Sequence, residues 1–102
     1  MRLARKGILD SFETGKVLKI KKISEGEFIS YSKKEIGLLF AEGVTEKSAE
    51  KFADLMEVIN SVCKVLKIDF YECMKIRSEK RYKNGEYINA VFDSEFIHDQ
   101  EE

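Results

Sequence analysis

Residues 45–66 read TEKSAEKFADLMEVINSVCKVL, which is the longest run of helical periodicity in the chain. At 100° per residue, seven apolar residues fall on one side of this predicted helix. They are Phe52, Leu55, Met56, Ile59, Val62, Cys63 and Leu66. Val58 and Val65 lie off this stripe, so the helix is apolar on a second flank. Such a helix suits a central position with neighbours on two sides, or contact with another subunit.

The opposite side of the same predicted helix is acidic. Glu50, Asp54 and Glu57 follow one another at spacings of four and three residues, so their carboxylates share one face. Carboxylates placed in this way can converge on one divalent cation. The same spacing is also the ordinary design of a solvated polar face opposite a core stripe, and spacing alone favours that interpretation.

Length and composition bound the class of protein. A chain of 102 residues forms one domain with a modest core, and its hydrophobic content of 43% is ordinary for a globular protein. No apolar run approaches the roughly 20 residues of a membrane span, and no signal-peptide pattern follows the basic start. We therefore expect a single cytoplasmic domain over 1–102 with no membrane partner. It has a basic N-terminal segment (1–23) and an acidic tail (93–102).

The cysteines do not indicate a disulfide framework or a zinc site. Cys63 lies in the apolar stripe and Cys73 on the next predicted helix, so both are predicted to be reduced core residues. The single histidine, His98, lies in the polar tail. Neither the cysteine spacing nor this histidine matches a transition-metal motif.

The charge is segregated along the chain. Residues 1–34 carry nine basic and four acidic side chains, whereas residues 35–102 carry nine basic and fifteen acidic ones. A chain with this asymmetry can bring its basic arm toward an anion, or pair it with its own acidic part or that of a partner copy. The total is not basic and the basic residues are not interleaved with an aromatic platform, so no nucleic acid is expected as a partner.

The remaining pattern predicts a mainly α fold. Ser24 with Glu27 and Ser32 with Glu35 both have the spacing of a capping box, and Gly43 is a predicted helix stop. Later, a D-x-x-E cap at Asp69–Glu72 and the pair Asn84–Gly85 bound another helix, with Phe70, Cys73, Met74 and Arg77 on its inner face. The prediction is an antiparallel helical bundle with three main helices near 32–43, 48–66 and 69–83. Alternating residues in Lys16–Ile23 and Tyr87–Phe92 add a small β-ribbon.

Several stretches together resemble one protein family. EKFADLMEVI at 50–59 resembles the E-E-L-A-D-V-x-E-V-I helix of the MazG-like all-α nucleoside triphosphate pyrophosphohydrolases. LKIDF at 66–70 is similar to their L-G-x-D-x break, and EKRYKNGEY at 79–87 to their E-K-R-x-x-R-G-G-F ending. RLARKGI at 2–8 is similar to their K-L-V-R-D-K-I opening. The similarity is greatest to short phosphoribosyl-ATP pyrophosphohydrolase-like proteins.

The resemblance implies a function. Members of this family hydrolyse nucleoside triphosphates to the monophosphate and pyrophosphate, and they assemble through their helices into homo-oligomers. They hold magnesium with an E-E-x-x-E motif on one helix and E-x-x-D on the next. Magnesium needs hard oxygen ligands, bridges the phosphates and lowers the pKa of the attacking water.

The chain departs from the family at those metal positions. Asp54 matches the aspartate of the second motif, but the glutamate three residues before it is Lys51, with Glu50 one residue out of register. In the first motif Glu35 is the only acid left, and Lys6 replaces the aspartate of the opening motif. An ammonium group competes with a metal ion for the same position. The candidate metal ligands are Glu35, Asp54, Glu50 and Glu57, and the candidate nucleotide-binding residues are Lys34, Lys51 and Arg81.

Three functions remain open at this point. The first is an active pyrophosphohydrolase that clears unwanted nucleotides with a reduced magnesium site. The second is a nucleotide-binding relative with weak or absent magnesium-dependent activity, in which lysine meets phosphate directly as a point charge. The third is a non-catalytic structural or regulatory assembly protein. The charge reversal at Lys51 argues against the first function.

Overall fold

The computed structural model describes residues 1–7 and 20–93. They contain three α-helices: α1 (Glu25–Glu46), α2 (Ala49–Val65) and α3 (Phe70–Asn84). The prediction of a mainly α fold with three main helices is confirmed. The chain divides into two compact units, Met1–Phe70 and Tyr71–Glu102, and each is considered by itself.

Helix α1 begins earlier than predicted, at the first of the two capping-box signals. The Ser24 hydroxyl accepts a hydrogen bond from the Glu27 backbone N–H (3.1 Å), and the Ser24 N–H donates to the Glu27 carboxylate (3.0 Å). These bonds satisfy two backbone donors that an uncapped helix would leave without partners. The second signal, at Ser32, lies inside the helix, where the serine is 1% exposed. The predicted start at residue 32 was therefore wrong.

Helices α1 and α2 form an antiparallel hairpin with a two-residue connection. Helix α1 ends at Glu46 and is capped by Lys47, whose φ of 51° is left-handed and whose N–H donates to the Gly43 carbonyl. Ser48 then caps α2, because its hydroxyl accepts a hydrogen bond from the Lys51 N–H at 3.1 Å. A connection this short forces the second helix to return alongside the first.

Gly43 is an interhelical contact rather than the predicted helix stop. A Cβ atom placed there would lie 2.8 Å from Cε2 of Phe52 on α2, closer than carbon atoms approach in proteins. The glycine therefore lets the aromatic ring of α2 approach the backbone of α1. Gly43 continues a row of buried residues on α1 spaced by three, four and four positions. The row consists of Ser32, Glu35, Leu39 and Gly43.

The apolar stripe predicted for α2 is only partly covered. Cys63 is buried, as predicted, and with Leu39 it is one of two buried apolar residues in the described part of the chain. Phe52, Met56 and Leu66 remain 38%, 48% and 53% exposed. The hairpin therefore buries one edge of the stripe and leaves the other edge open.

The second unit contains nearly all of α3 and the segment after it. Helix α3 ends as predicted at Asn84–Gly85, where Gly85 has a φ of 82° and its N–H donates to the Arg81 carbonyl at 2.8 Å. No residue of α3 is buried, and of the predicted inner face only Phe70 and Met74 are partly covered. The prediction of Cys73 as a core residue was wrong, since this cysteine is exposed.

The predicted β-ribbon is not present in the described residues. Residues 20–23 and 87–92 are irregular, and residues 16–19 lie outside the described residues. Alternation at Tyr87–Phe92 predicts a strand only where a partner strand pairs with it, and no strand occurs in residues 1–7 and 20–93. None of the helices described is both long enough and apolar enough to cross a membrane.

Two glycines of α1 provide a matched test of the hairpin contact. A Cβ at Gly37 meets nothing within 4 Å, whereas one at Gly43 collides with Phe52. We expect Gly37→Ala to stabilise the protein by up to about 1 kcal/mol, because alanine has the higher helix propensity. We expect Gly43→Ala to destabilise it by about 1–3 kcal/mol through overpacking.

Urea unfolding of both variants checks this expectation, and Gly43→Ala combined with Phe52→Leu should recover part of the loss. Equal gains in the free energy of unfolding at the two glycines would contradict the close contact.

Candidate functional site

An open cleft of about 750 Å³ lies in the first unit, where residues 1–7 (the N-terminal segment of the described structure) lie against the α1–α2 hairpin. Residues 2–7 form one wall, and Leu39 and Val58 contribute apolar surface. Its other lining side chains are largely charged. The cations are Arg2, Arg5, Lys6 and Lys51, and the carboxylates are Glu35, Asp54 and Glu57. The cleft is therefore a mixed ionic site whose behaviour depends on how these charges are paired.

The strongest pairing joins Arg2 to Glu35 in a two-pronged geometry. Arg2 Nε donates to Oε1 of Glu35 at 3.0 Å, and Nη2 donates to Oε2 at 3.0 Å. The backbone N–H of Leu3 adds a third donor, 3.3 Å from Oε1. Glu35 is 8% exposed, and this arrangement satisfies a carboxylate that the helix interface has largely removed from water.

Glu42, about two turns further along α1 than Glu35, extends the pairing. Its Oε2 accepts a hydrogen bond from Arg2 Nη1 at 3.3 Å, and its Oε1 lies 3.3 Å from Lys51 Nζ. Oε1 has no well-formed hydrogen bond among the described residues, and its contact with Lys51 is an ion pair. Glu35, Arg2, Glu42 and Lys51 thus alternate in sign along one chain of contacts.

The pKa values respond to these contacts. The hydrogen bond to Glu35, and next the one to Glu42, raise the pKa of Arg2 above its ordinary value. Arg2 first, and then Lys51, lower the pKa of Glu42, because both favour its ionised form. Glu42 in turn raises the pKa of Lys51. These contacts therefore favour the charged forms of Arg2, Glu42 and Lys51 near neutral pH.

A second arginine, Arg5, forms an ion pair with Asp54. Arg5 Nη2 lies 2.6 Å from Oδ1 of Asp54 on α2. Both side chains are partly exposed, at 60% and 35%, so this pair is weaker than the one at Glu35. The N-terminal segment thus contacts both helices of the hairpin, through Arg2 on α1 and through Arg5 on α2.

The structure brings together some of the predicted site residues and separates others. Glu35, Asp54 and Glu57 line the cleft, as does Lys51. Glu50 and Lys34 are exposed, and neither is among the lining residues. Arg81 belongs to the second unit, where its guanidinium pairs with Glu86 at 3.2 Å.

The residues present do not fit a magnesium centre. Within residues 1–7 and 20–93, no three Asp, Glu, His or Cys side chains converge as a metal site would require. Glu35 and Asp54 already accept hydrogen bonds from arginine, and Glu57 accepts a long one (3.4 Å) from the Asn60 amide. Magnesium demands several hard oxygen ligands in near-octahedral geometry, so two carboxylates each held by a guanidinium do not supply its site.

Sequence reasoning did not assign Arg2, Arg5 or Glu42 to the site. The signal that bears on them is the charge asymmetry, since a basic arm followed by an acidic remainder can pair within one chain. The structure shows such pairing over separations of 33, 40 and 49 residues. Charge asymmetry alone does not indicate which carboxylates are contacted.

Neither the protein-family models, nor the curated proteins, nor the solved structures contain a match to this chain.

The charge network predicts a specific pH dependence at Glu42. The folded-state pKa of this carboxyl lies below its ordinary value of 4.5, so its contribution to stability is present above that value. The contribution is lost as the pH falls through the folded-state pKa. We expect Glu42→Gln to lower the melting temperature at pH 7, with a difference from wild type that shrinks steadily below about pH 4.5.

Thermal melts of both proteins from pH 7 to pH 2.5 measure this difference, and Glu79→Gln, an exposed position on α3, is the control. A difference between wild type and Glu42→Gln that stays constant over this range would show that the network contributes nothing.

Proposed function

We propose that this chain is a MazG-like nucleotide-binding protein with weak or absent magnesium-dependent pyrophosphohydrolase activity. The observation that carries the proposal is the position of two arginines. Arg2 and Arg5 contact Glu35 and Asp54, the two carboxylates that the resemblance matches to the family's metal motifs. A metal ion and a guanidinium cannot both occupy the same carboxylate oxygens. We therefore expect a ligand to bind cationic side chains of the protein rather than a bound metal ion.

A phosphate group fits the cations of this cleft. Four cationic side chains line it, and a volume of about 750 Å³ falls within the range of small-molecule sites. The arginine fork matches phosphate as well as carboxylate, so Arg5, whose pair with Asp54 is partly exposed, can exchange one oxyanion for the other without losing its hydrogen bonds. Lys51 adds a compact charge from α2. These features support recognition of the polyphosphate part of a nucleoside triphosphate or related nucleotide.

The same features oppose catalysis. The family reaction uses a metal ion to stabilise charge that develops on the phosphates, and each lost oxygen ligand weakens that effect. Lys51 stands where the family has a metal ligand, and it is ion-paired with Glu42 at 3.3 Å. When bound, magnesium would supply phosphate polarisation and an activated water. The residues of this cleft do not provide the oxygen cage that the metal needs.

Two free cysteines support a place in the cytoplasm. Cys63 and Cys73 are unpaired thiols, and Cys73 is exposed. Exposed free thiols are typical of proteins in a reducing compartment. We therefore propose a cytoplasmic location.

Calorimetry with a panel of nucleoside triphosphates tests the binding proposal. We expect binding without magnesium, and no more than a small gain in affinity when magnesium is added. Lys51→Glu should weaken magnesium-free binding at least about fivefold, which corresponds to about 1 kcal/mol. Lys64→Glu makes the same charge change at an exposed position on α2 outside the cleft and should leave affinity unchanged.

Pyrophosphate release at millimolar magnesium tests the catalytic half of the proposal. Wild-type protein should release little or none with any nucleotide in the panel. Robust turnover that is abolished by Asp54→Ala would show that the reduced site is active and that the proposal is wrong. Absence of nucleotide binding would instead favour a role in assembly.

A role in assembly is favoured by exposed apolar surface on the hairpin. Phe40 and Val44 on α1 are 56% and 54% exposed, and Phe52 and Met56 on α2 are 38% and 48% exposed. The Phe40 and Phe52 rings meet edge to face with centroids 6.1 Å apart, so the four residues form one continuous apolar patch. Surfaces of this kind mark interaction sites. We propose that the apolar patch packs against the same patch of a second copy.

Light scattering at tens of micromolar protein tests this proposal. Wild-type protein should behave as a homodimer or a larger assembly, and Val44→Glu should shift it toward monomer by placing a carboxylate in the buried contact. Ser30→Glu introduces the same group at an exposed position earlier on α1 and should not change the assembly. A wild-type monomer at this concentration would contradict the proposal.

A further inference from the structure

The second unit has a groove of its own, separate from the charged cleft of the first unit. It has a volume of about 1040 Å³ and runs between the last two turns of α3 and the segment after the helix. One edge, the basic rim, consists of Arg77, Lys80 and Arg81. The segment after the helix contributes the apolar rim, which consists of Ile88, Val91 and Phe92.

The basic rim presents its charges to solvent. Arg77, Lys80 and Arg81 are spaced by three and one positions, so they share one side of α3. Arg81 forms an exposed ion pair with Glu86, with side chains 61% and 68% exposed, and such a pair contributes little. Arg77 and Lys80 form no ion pair with any residue in the described ranges 1–7 and 20–93. At least two of the three charges are therefore available to an acidic ligand.

The apolar rim is unusually open. Ile88, Val91 and Phe92 are 73%, 94% and 71% exposed, and Tyr87 beside them is fully exposed. Helix α3 buries none of its residues either. Isolated exposed apolar side chains are normal, but a contiguous set bordering a groove indicates a surface that another molecule covers.

We propose that this groove binds an acidic amphipathic helix of a partner protein. Such a helix carries carboxylates on one flank and large aliphatic side chains on the next, so it matches both rims at once. The carboxylates lie against Arg77 and Lys80, where bidentate pairing with the arginine adds specificity. The aliphatic side chains lie against Ile88, Val91 and Phe92, where burial supplies most of the affinity.

The chemistry of the two rims favours this occupant over a nucleic acid. A polynucleotide needs many phosphate contacts, and its bases stack on aromatic rings. Tyr87 and Phe92 do offer aromatic faces, but only two cations of the basic rim lack a partner among the described residues, which is too few for the phosphate contacts of a polynucleotide. An alternation of acid and aliphatic groups suits these rims better than a row of phosphates.

Fluorescence anisotropy with the full chain and a labelled designed peptide tests the proposal. The probe is a helix about as long as the 15 residues of α3, with leucine at heptad core positions and glutamate along one flank. A control peptide keeps every leucine and replaces each glutamate by lysine. We expect the acidic peptide to bind at least about tenfold more tightly than the basic one, with affinity falling as salt increases.

Three variants locate the binding site. Arg77→Glu and Val91→Asp should each lower the affinity for the acidic peptide at least about tenfold. The first reverses a charge of the basic rim, and the second places a carboxylate on the apolar rim. Lys83→Glu makes the same charge change on α3 but lies outside the groove, so it should change the affinity less than about twofold. All three positions are exposed, and circular dichroism verifies that the helices persist.

Three outcomes would overturn the proposal. The first is equal binding of the acidic and basic peptides, which would indicate a non-specific apolar contact. The second is binding of a single-stranded oligonucleotide in place of the acidic peptide, lost in Arg77→Glu. The third is a change of oligomeric state in Val91→Asp without any peptide binding, which would show that a second copy of the chain covers the groove.

Discussion

The first unit depends on the ion pair between Arg2 and Glu35. The α1–α2 interface places the Glu35 carboxylate where water reaches little of it, and a carboxylate in that position needs a cation and several donors. Arg2 and the Leu3 backbone N–H supply them from a segment far away in sequence. Removing a partner from a buried pair costs up to about 3–5 kcal/mol, and less where one partner is half exposed, as Arg2 is. The pairing therefore holds the N-terminal segment against the hairpin and creates the cleft.

The arginines of the cleft have two roles as a result of this constraint. Its arginines stabilise the protein by neutralising carboxylates, and the same arginines are the groups best suited to bind a phosphate. Any anionic ligand must compete with Glu35, Glu42 and Asp54, and any metal ion must compete with the arginines. A ligand that carries both a phosphate and a cation would exchange partners with both kinds of residue. The affinity for such a ligand reflects the difference between the ion pairs that it forms and the ion pairs within the protein that it breaks. It therefore depends on salt and pH.

The sequence predicts the local features well and the long-range contacts poorly. The period of α2, the cap at Ser24 and the stop at Asn84–Gly85 depend on neighbours within a few residues, so they are readable from sequence. Gly43 is ambiguous, since a glycine that ends a helix and a glycine that admits a neighbouring ring look the same in one dimension.

Ser32 carries the same short-range signature as Ser24, and only packing distinguishes them. The partners of Arg2 and Arg5 lie 33 and 49 residues away, and no local pattern specifies such contacts. The carboxylates Glu35 and Asp54 could be named from sequence, but their pairing with arginine could not.

The order in which these contacts become available has a consequence for the nascent chain. The α1–α2 hairpin is made of contacts close in sequence, joined by a two-residue turn, and such local structure forms rapidly. The N-terminal segment leaves the ribosome before either helix, yet its partners Glu35 and Asp54 emerge only later. Arg2 and Arg5 therefore remain without these partners early in synthesis, and the full set of contacts forms only once Asp54 of α2 has been made. Residues 1–7 are thus synthesised before helices α1 and α2 but fixed against them only afterwards.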